Sequence, residues 1–142
     1  MSNNKKSFFN ELGFKNTIEK LIDHISKLYL QDDIPWIIGY SGGKDSSACL
    51  QLMWEVLERL KNNKKNIKPL YVITTDTLVE NPIVSLWVKT SLDLLKKKAQ
   101  ERELPVFPNL LTPNINETFW VNLIGKGYPA PNTKFRWCTE RM

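Results

Sequence analysis

Apolar residues recur along the chain with two periods. In residues 17–30 (TIEKLIDHISKLYL), Ile18, Leu21, Ile22, Ile25 and Leu28 share one helical stripe, with Asn16 as N-cap and Glu19 three residues on. QDDIP breaks that helix. Trp36 to Tyr40 is an apolar run too short for a helix and reads as a buried strand. From Ser46 to about Lys61, Leu50, Met53, Trp54, Leu57 and Leu60 line one side of a second helix. Residues 69–75 (PLYVITT) are rich in β-branched side chains and predict a second strand ending on Asp76. Asn81-Pro82 supplies a cap and an N1 proline for a helix over 82–103, with Val84, Trp87, Val88, Leu92, Leu95 and Ala99 on its apolar side. Leu104 to Phe107 predicts a third strand, at an edge or irregular because of its prolines. Residues 117–124 (ETFWVNLI) predict a short helix capped by Asn116 and closed by Gly125. From Gly125 onward the chain is rich in turn residues and reads mostly as loop.

Strands alternating with helices at these lengths predict an α/β layered, Rossmann-like fold with a parallel sheet and right-handed crossovers. In such sheets ligands sit beyond the carboxyl ends of the strands. The two most polar strand ends are YSGGKDS and TTDTLVE.

Composition narrows the picture only a little. The 142 residues suffice for one domain with a core, and 42% hydrophobic residues is ordinary for a globular chain. No stretch is apolar for long enough to span a bilayer, and the N-terminus lacks the apolar segment of a secretory signal. Two cysteines make no disulfide framework, which points to a reducing, cytoplasmic setting. The net charge of +5 tolerates a polyanionic partner without establishing one. The lysine runs at 61–68 and 96–98 read as solvated faces, His24 as a surface residue and Cys49 as a small buried one. The sequence ends on FRWCTERM, dense chemistry with no closing element. The expectation is a single domain over 1–142, the front part of a longer protein, behind an N-terminal arm of residues 1–15; the alternative is a short protein whose tail docks on a partner.

The glycine-rich stretch is not a Walker A loop: that pattern needs glycine where Ile38 stands and Ser or Thr where Asp45 stands. The spacing of Gly39, Gly42 and Gly43 also fails the dinucleotide pattern. Its physics still suits an anion. Gly42 and Gly43 can adopt positive φ, successive amides can form a cradle, and the helix after them adds its positive end. Ser41 and Ser46 supply hydroxyls and Lys44 a charge. Asp45 can pin the loop through backbone amides or help hold Mg2+. The alternative is a ligand-free turn capped by Ser and Asp.

Two further segments carry candidate chemistry. Asp76 can accept hydrogen bonds from an adenine amino group or a ribose hydroxyl, with Thr77 and Glu80 beside it; the alternative is an acidic capping loop. In the last seven residues, Arg136 and Arg141 are two of the chain's four arginines, suited to bidentate phosphate contacts, and Cys138 lies between them, where positive potential favours a thiolate. The alternative is a basic loop with an inert cysteine.

Ser41 to Ser46 resembles the SGGxDS PP-loop of the N-type ATP pyrophosphatases and the PAPS reductases. Four segments (GFKNTIEKL, DDIPW, TDTLVENPIVSLWV and FWVNLIGKGYPAPNTKFRWCTERM) extend the likeness to nearly the whole chain. Together they resemble the DndC family, the PAPS reductase-like sulfurtransferases of DNA phosphorothioate modification. The resemblance implies the adenine nucleotide alpha hydrolase type of fold, cleavage of ATP to AMP and pyrophosphate, and sulfur insertion into the DNA backbone. It also implies Mg2+, a [4Fe-4S] cluster, and partner proteins including a cysteine desulfurase as sulfur donor. On this likeness Ser41, Gly42, Gly43, Lys44, Asp45 and Ser46 grip and cleave the triphosphate. Asp76, Thr77 and Glu80 orient adenosine, Arg136 and Arg141 hold the acceptor phosphate, and Cys138 is a cluster ligand. Four thiolates are usual for such a cluster, so the remaining ligands are expected beyond Met142. A PAPS reductase-like reaction on a small nucleotide, a nucleotide-binding scaffold without turnover, and a tRNA-thiolating enzyme are the other readings.

Overall fold

A computed structural model describes residues 13–132. Its order is α1 (Gly13–Tyr29), β1 (Trp36–Gly39), α2 (Lys44–Asn62), β2 (Leu70–Thr75), α3 (Pro82–Glu101) and β3 (Val106–Leu111), followed by a 3-10 turn (Ile115–Glu117) and a π-helical turn (Val121–Gly125). The three strands form one open, wholly parallel sheet in the order β1-β2-β3. Spatial order follows chain order, so two crossovers of one hand lay α2 and α3 on the same face. The chain is α/β, as its pattern predicts.

Burial follows that layout. Leu70, Val72 and Val106 point toward the helices and join Met53, Val56, Leu57 and Leu60 of α2 and Val88, Leu92 and Ala99 of α3 in one core. The other sheet face carries Ile37, Tyr71, Phe107 and Leu111, all exposed, with the Tyr71 and Phe107 rings 5.6 Å apart. β1 is therefore not the fully buried strand expected: Ile37 is 65% exposed, because among the described residues helices cover one face only.

α1 joins the layer through α2. Arg59 of α2 grips Glu19 with both terminal nitrogens, at 2.6 and 3.0 Å, and donates through Nε to Glu55 at 2.8 Å. The helix starts at Gly13, so Asn16 lies inside it rather than capping it; the Thr17 hydroxyl returns a bond to the Gly13 carbonyl at 2.8 Å. The end of α1 is anchored under β1. Tyr29 is fully buried, its ring meets Trp36 edge-on at 5.3 Å, and its hydroxyl donates to the Lys68 carbonyl. Burial pushes that hydroxyl's pKa up to about 12. The Lys68 ammonium sits 4.8 Å from the Tyr29 ring and 5.4 Å from the Trp36 ring, and donates to the Asp32 carboxylate at 2.6 Å. The lysine run predicts a solvated Lys68; it is buried instead, because two aromatic faces and a carboxylate replace its water.

Two other boundaries move. β3 begins two residues later than predicted and runs through Pro108. Pro105 and Leu111 carbonyls accept from Leu70 and Asp76, so odd-numbered residues bond β2 and Pro108 turns its missing donor to the outer edge. The single helix expected over 117–124 is instead a 3-10 turn capped by Asn114, then a π-helical turn over Val121–Gly125, closed where Lys126 N–H reaches the Val121 carbonyl at 2.8 Å. Asn122 is buried there and donates to the Glu117 carbonyl at 2.9 Å. No described helix is long and apolar enough to cross a membrane.

Candidate functional site

β1 hands the chain to the glycine loop under tight control. Tyr40 N–H donates to the Ile73 carbonyl at 2.8 Å, and the Thr74 hydroxyl to the Tyr40 carbonyl at 2.6 Å. Gly42 then takes φ +74°, a left-handed conformation that suits glycine. A Cβ at this position would meet Val88 Cγ2 at 3.0 Å and Trp87 Cδ1 at 3.3 Å, so the loop backbone rests directly on α3. Gly43 is the N-cap of α2, and no side chain caps that helix. The first-turn amides thus keep their donors for an outside acceptor.

The two serines hold the loop closed. Ser46 Oγ donates to the Gly43 carbonyl at 3.1 Å, accepts the Ser41 amide at 3.3 Å, and touches Ser41 Oγ at 3.2 Å. Lys44 and Asp45 stand exposed in the first turn of α2. Among the described residues Asp45 accepts no hydrogen bond, so Ser46, not Asp45, pins the loop. A carboxylate left free in this way fits the mode in which Mg2+ takes one or two carboxylates and completes its shell with substrate phosphates. No group of three or more His, Cys, Asp or Glu residues is arranged as a metal site among the described residues. A four-thiolate cluster does not fit a chain with two cysteines.

A cleft of about 180 Å³ opens beyond the carboxyl ends of the strands. Ser41 follows β1, Thr75 and Asp76 end β2, Glu80 precedes α3, Leu110 comes from β3, and Ser85, Val88 and Lys89 come from α3. The cleft is smaller than whole-ligand pockets, which run to about 300–1,000 Å³. Of the glycine loop only Ser41 lines this cleft.

Asp76 is its most constrained member. It is buried, and its carboxylate accepts from the Leu78 amide at 2.9 Å, the Ser85 hydroxyl at 3.3 Å and the Lys89 ammonium at 3.3 Å. The Leu78 amide first, and then Lys89 and Ser85, hold its pKa below the usual carboxylate value against the opposing effect of burial. Thr77 donates to Glu80 Oε1 at 3.2 Å, and Asn81 caps α3 by accepting the Ile83 amide at 2.9 Å, as its sequence predicts.

Ser41, Asp76 and Glu80 therefore come together, Thr77 braces Glu80, and Gly42 to Ser46 form the adjoining turn. Arg136, Cys138 and Arg141 lie outside the described residues. Cys49 is exposed, not buried as expected: it lies one turn before Met53, and the buried stripe of α2 begins only there. Ser85 and Lys89 join the site without having stood out in the sequence. Their signal is a one-turn polar pair flanking Val88 on the helix after TDTLVE. Compared with family models, curated proteins and solved structures, the chain matches none.

Proposed function

We propose that this chain is a PP-loop ATP pyrophosphatase domain that cleaves ATP to AMP and pyrophosphate, and that it serves as the sulfurtransferase component of DNA phosphorothioation. The observation that carries the first half is the glycine turn: Gly42 at positive φ and seated against α3, then Gly43 in extended backbone opening into an uncapped helix start at the carboxyl end of a parallel sheet. Backbone donors fixed before the ligand arrives are the arrangement that stabilises charge growing on a leaving pyrophosphate. The second half rests on the four resembling segments of sequence and extends to the cytoplasm as the compartment.

On this reading the α2 amides and Lys44 take the β- and γ-phosphates, and the Ser41 and Ser46 hydroxyls join them by turning from their bonds within the loop when the ligand enters. Mg2+, when bound beside Asp45, would supply electrostatic relief to the same oxygens. Glu80 keeps an oxygen free of Thr77 for a ribose hydroxyl. The α-phosphate then faces the cleft, where an acceptor oxygen displaces pyrophosphate and becomes adenylated. A sulfide-level sulfur then attacks the adenylated phosphorus, and the P–S bond forms as the P–O bond to AMP breaks and AMP leaves with its electron pair. Arg136 and Arg141 are proposed to hold the DNA phosphate, and Cys138 to belong to sulfur delivery.

The test is pyrophosphate and AMP release from ATP in the presence of Mg2+, DNA and sulfide, in the wild type and in a Ser41→Ala/Asp45→Ala double variant. The double variant is expected to lose release by about 100-fold or more, the scale of removing transition-state donors. Equal release from both removes the loop from the chemistry. ATP binding without any AMP supports the scaffold reading.

A further inference from the structure

We propose that Lys89 is the side chain that meets the ligand in the cleft, contacting a phosphoryl oxygen, and that Asp76 is a positioning residue that aims it. This inference deepens the nucleotide reading and rests on it.

Asp76 has little hydrogen-bonding capacity to spare. A carboxylate offers about four lone-pair sites. Oδ2 receives both the Ser85 hydroxyl and the Lys89 ammonium, and Oδ1 receives the Leu78 amide. One site is left on a side chain that is 8% exposed. To offer an adenine or a ribose more than that one site, Asp76 would have to release groups that shape the turn into α3, including the amide of Leu78, which itself stands at φ +62°. Its carboxylate therefore serves the fold.

Lys89 is in the opposite position. An ammonium carries three donors, and among the described residues the Asp76 carboxylate is its ion-pair partner. Its side chain is 51% exposed and lines the same cleft as Ser41. The 3.3 Å separation is longer than the roughly 2.7–2.9 Å of a tight charge-assisted bond. The ammonium can thus turn toward a second acceptor without leaving the first. Charge supplies the reason it must. Asp76 and Glu80 put two negative groups around the cleft, and Lys89 is the cation among its lining residues. A phosphate approaching Ser41 meets repulsion from that pair unless Lys89 faces it. The helix amides of the glycine loop then hold one end of the phosphate chain and Lys89 the other.

The experiment is calorimetric titration of ATP, inorganic pyrophosphate and adenosine into the wild type, Lys89→Met, Lys89→Arg and Asp76→Asn, with circular dichroism melts confirming that each variant is folded. Lys89→Met is expected to weaken ATP by about 10- to 100-fold, the span of a hydrogen bond to a charged group, to weaken pyrophosphate less, and to leave adenosine unchanged. Lys89→Arg is expected to retain pyrophosphate within a few-fold, because the charge persists on a helix position open enough for it. Asp76→Asn is expected to keep adenosine binding. Wild-type binding with Lys89→Met equal to it overturns the assignment of Lys89 alone. A selective loss of adenosine in Asp76→Asn overturns it by returning Asp76 to the ligand. A wild type that binds neither ATP nor pyrophosphate overturns the nucleotide reading, and this inference with it.

Discussion

Replacing Gly42 by valine is expected to reduce pyrophosphate release by about 100-fold or more, the scale on which a misplacement of about 1 Å acts in a catalytic site. Two independent effects converge on this residue. Its φ of +74° costs an L-residue roughly 1–2 kcal/mol, more when the side chain is β-branched. In addition, the first atom of any side chain would lie 3.0 Å from Val88 Cγ2 and 3.3 Å from Trp87 Cδ1. Val88 is buried in the core and cannot withdraw, so the loop must lift off α3. Lifting it carries Ser41 away from the cleft and turns the amides at the start of α2 off their common target. Gly42→Ala should show the same defect in milder form. Assays of pyrophosphate release and of ATP affinity read both variants. A Gly42→Val protein with wild-type release contradicts the role given to this turn.

Tyr29→Ala is expected to destabilise the protein by about 3–5 kcal/mol, the range for truncating a large buried aromatic. The melting midpoint should fall by on the order of 10 °C. Tyr29 is fully buried where α1 meets β1, packs edge-on to Trp36, supports the Lys68 ammonium and donates to the Lys68 carbonyl. Its removal leaves a cavity beside a buried charge, two costs at one place. Tyr29→Phe keeps the ring and loses only the hydroxyl, so its effect should be near 1 kcal/mol, that is, about the net value of one hydrogen bond. The same hydroxyl gives a pH signature. Its pKa is raised on folding from 10.0 to about 12 by burial. The neutral form is the one the fold favours, so this contribution is whole below about pH 10 and is lost as pH rises toward 12. Tyr29→Phe should flatten that alkaline loss. Melts of the three proteins from neutral to alkaline pH test this, and a Tyr29→Ala midpoint within about 2 °C of wild type contradicts it.

Much of this architecture is written in local pattern. Two glycines between an apolar run and an amphipathic helix, and an acidic residue closing a β-branched run, mark where a parallel sheet turns, and both places open on the cleft. Asn81-Pro82 names its own helix start. The features that local pattern hides depend on neighbours distant in sequence. Lys68 looks like one more lysine of a solvated run until Tyr29 and Trp36 fold around it. Cys49 continues the helical stripe of Met53, yet whether that turn is covered depends on where other elements end. Ile37 alternates as a sheet residue should, but the pattern does not say which face the helices choose. Lys89 and Ser85 resemble an ordinary solvated edge of a helix; only the arrival of Asp76 from another strand end gives them a task. Chemistry built from one turn is legible in sequence, whereas chemistry built across two elements waits for the fold.

The most direct test of the central claim is an amide chemical-shift map of the isotope-labelled protein titrated with ATP and Mg2+. The largest shifts are expected at Gly42, Gly43 and Lys44, with a second set at the Asp76–Leu78 turn. Saturable shifts gathered on another face, with the Gly42–Lys44 amides unmoved, would contradict it.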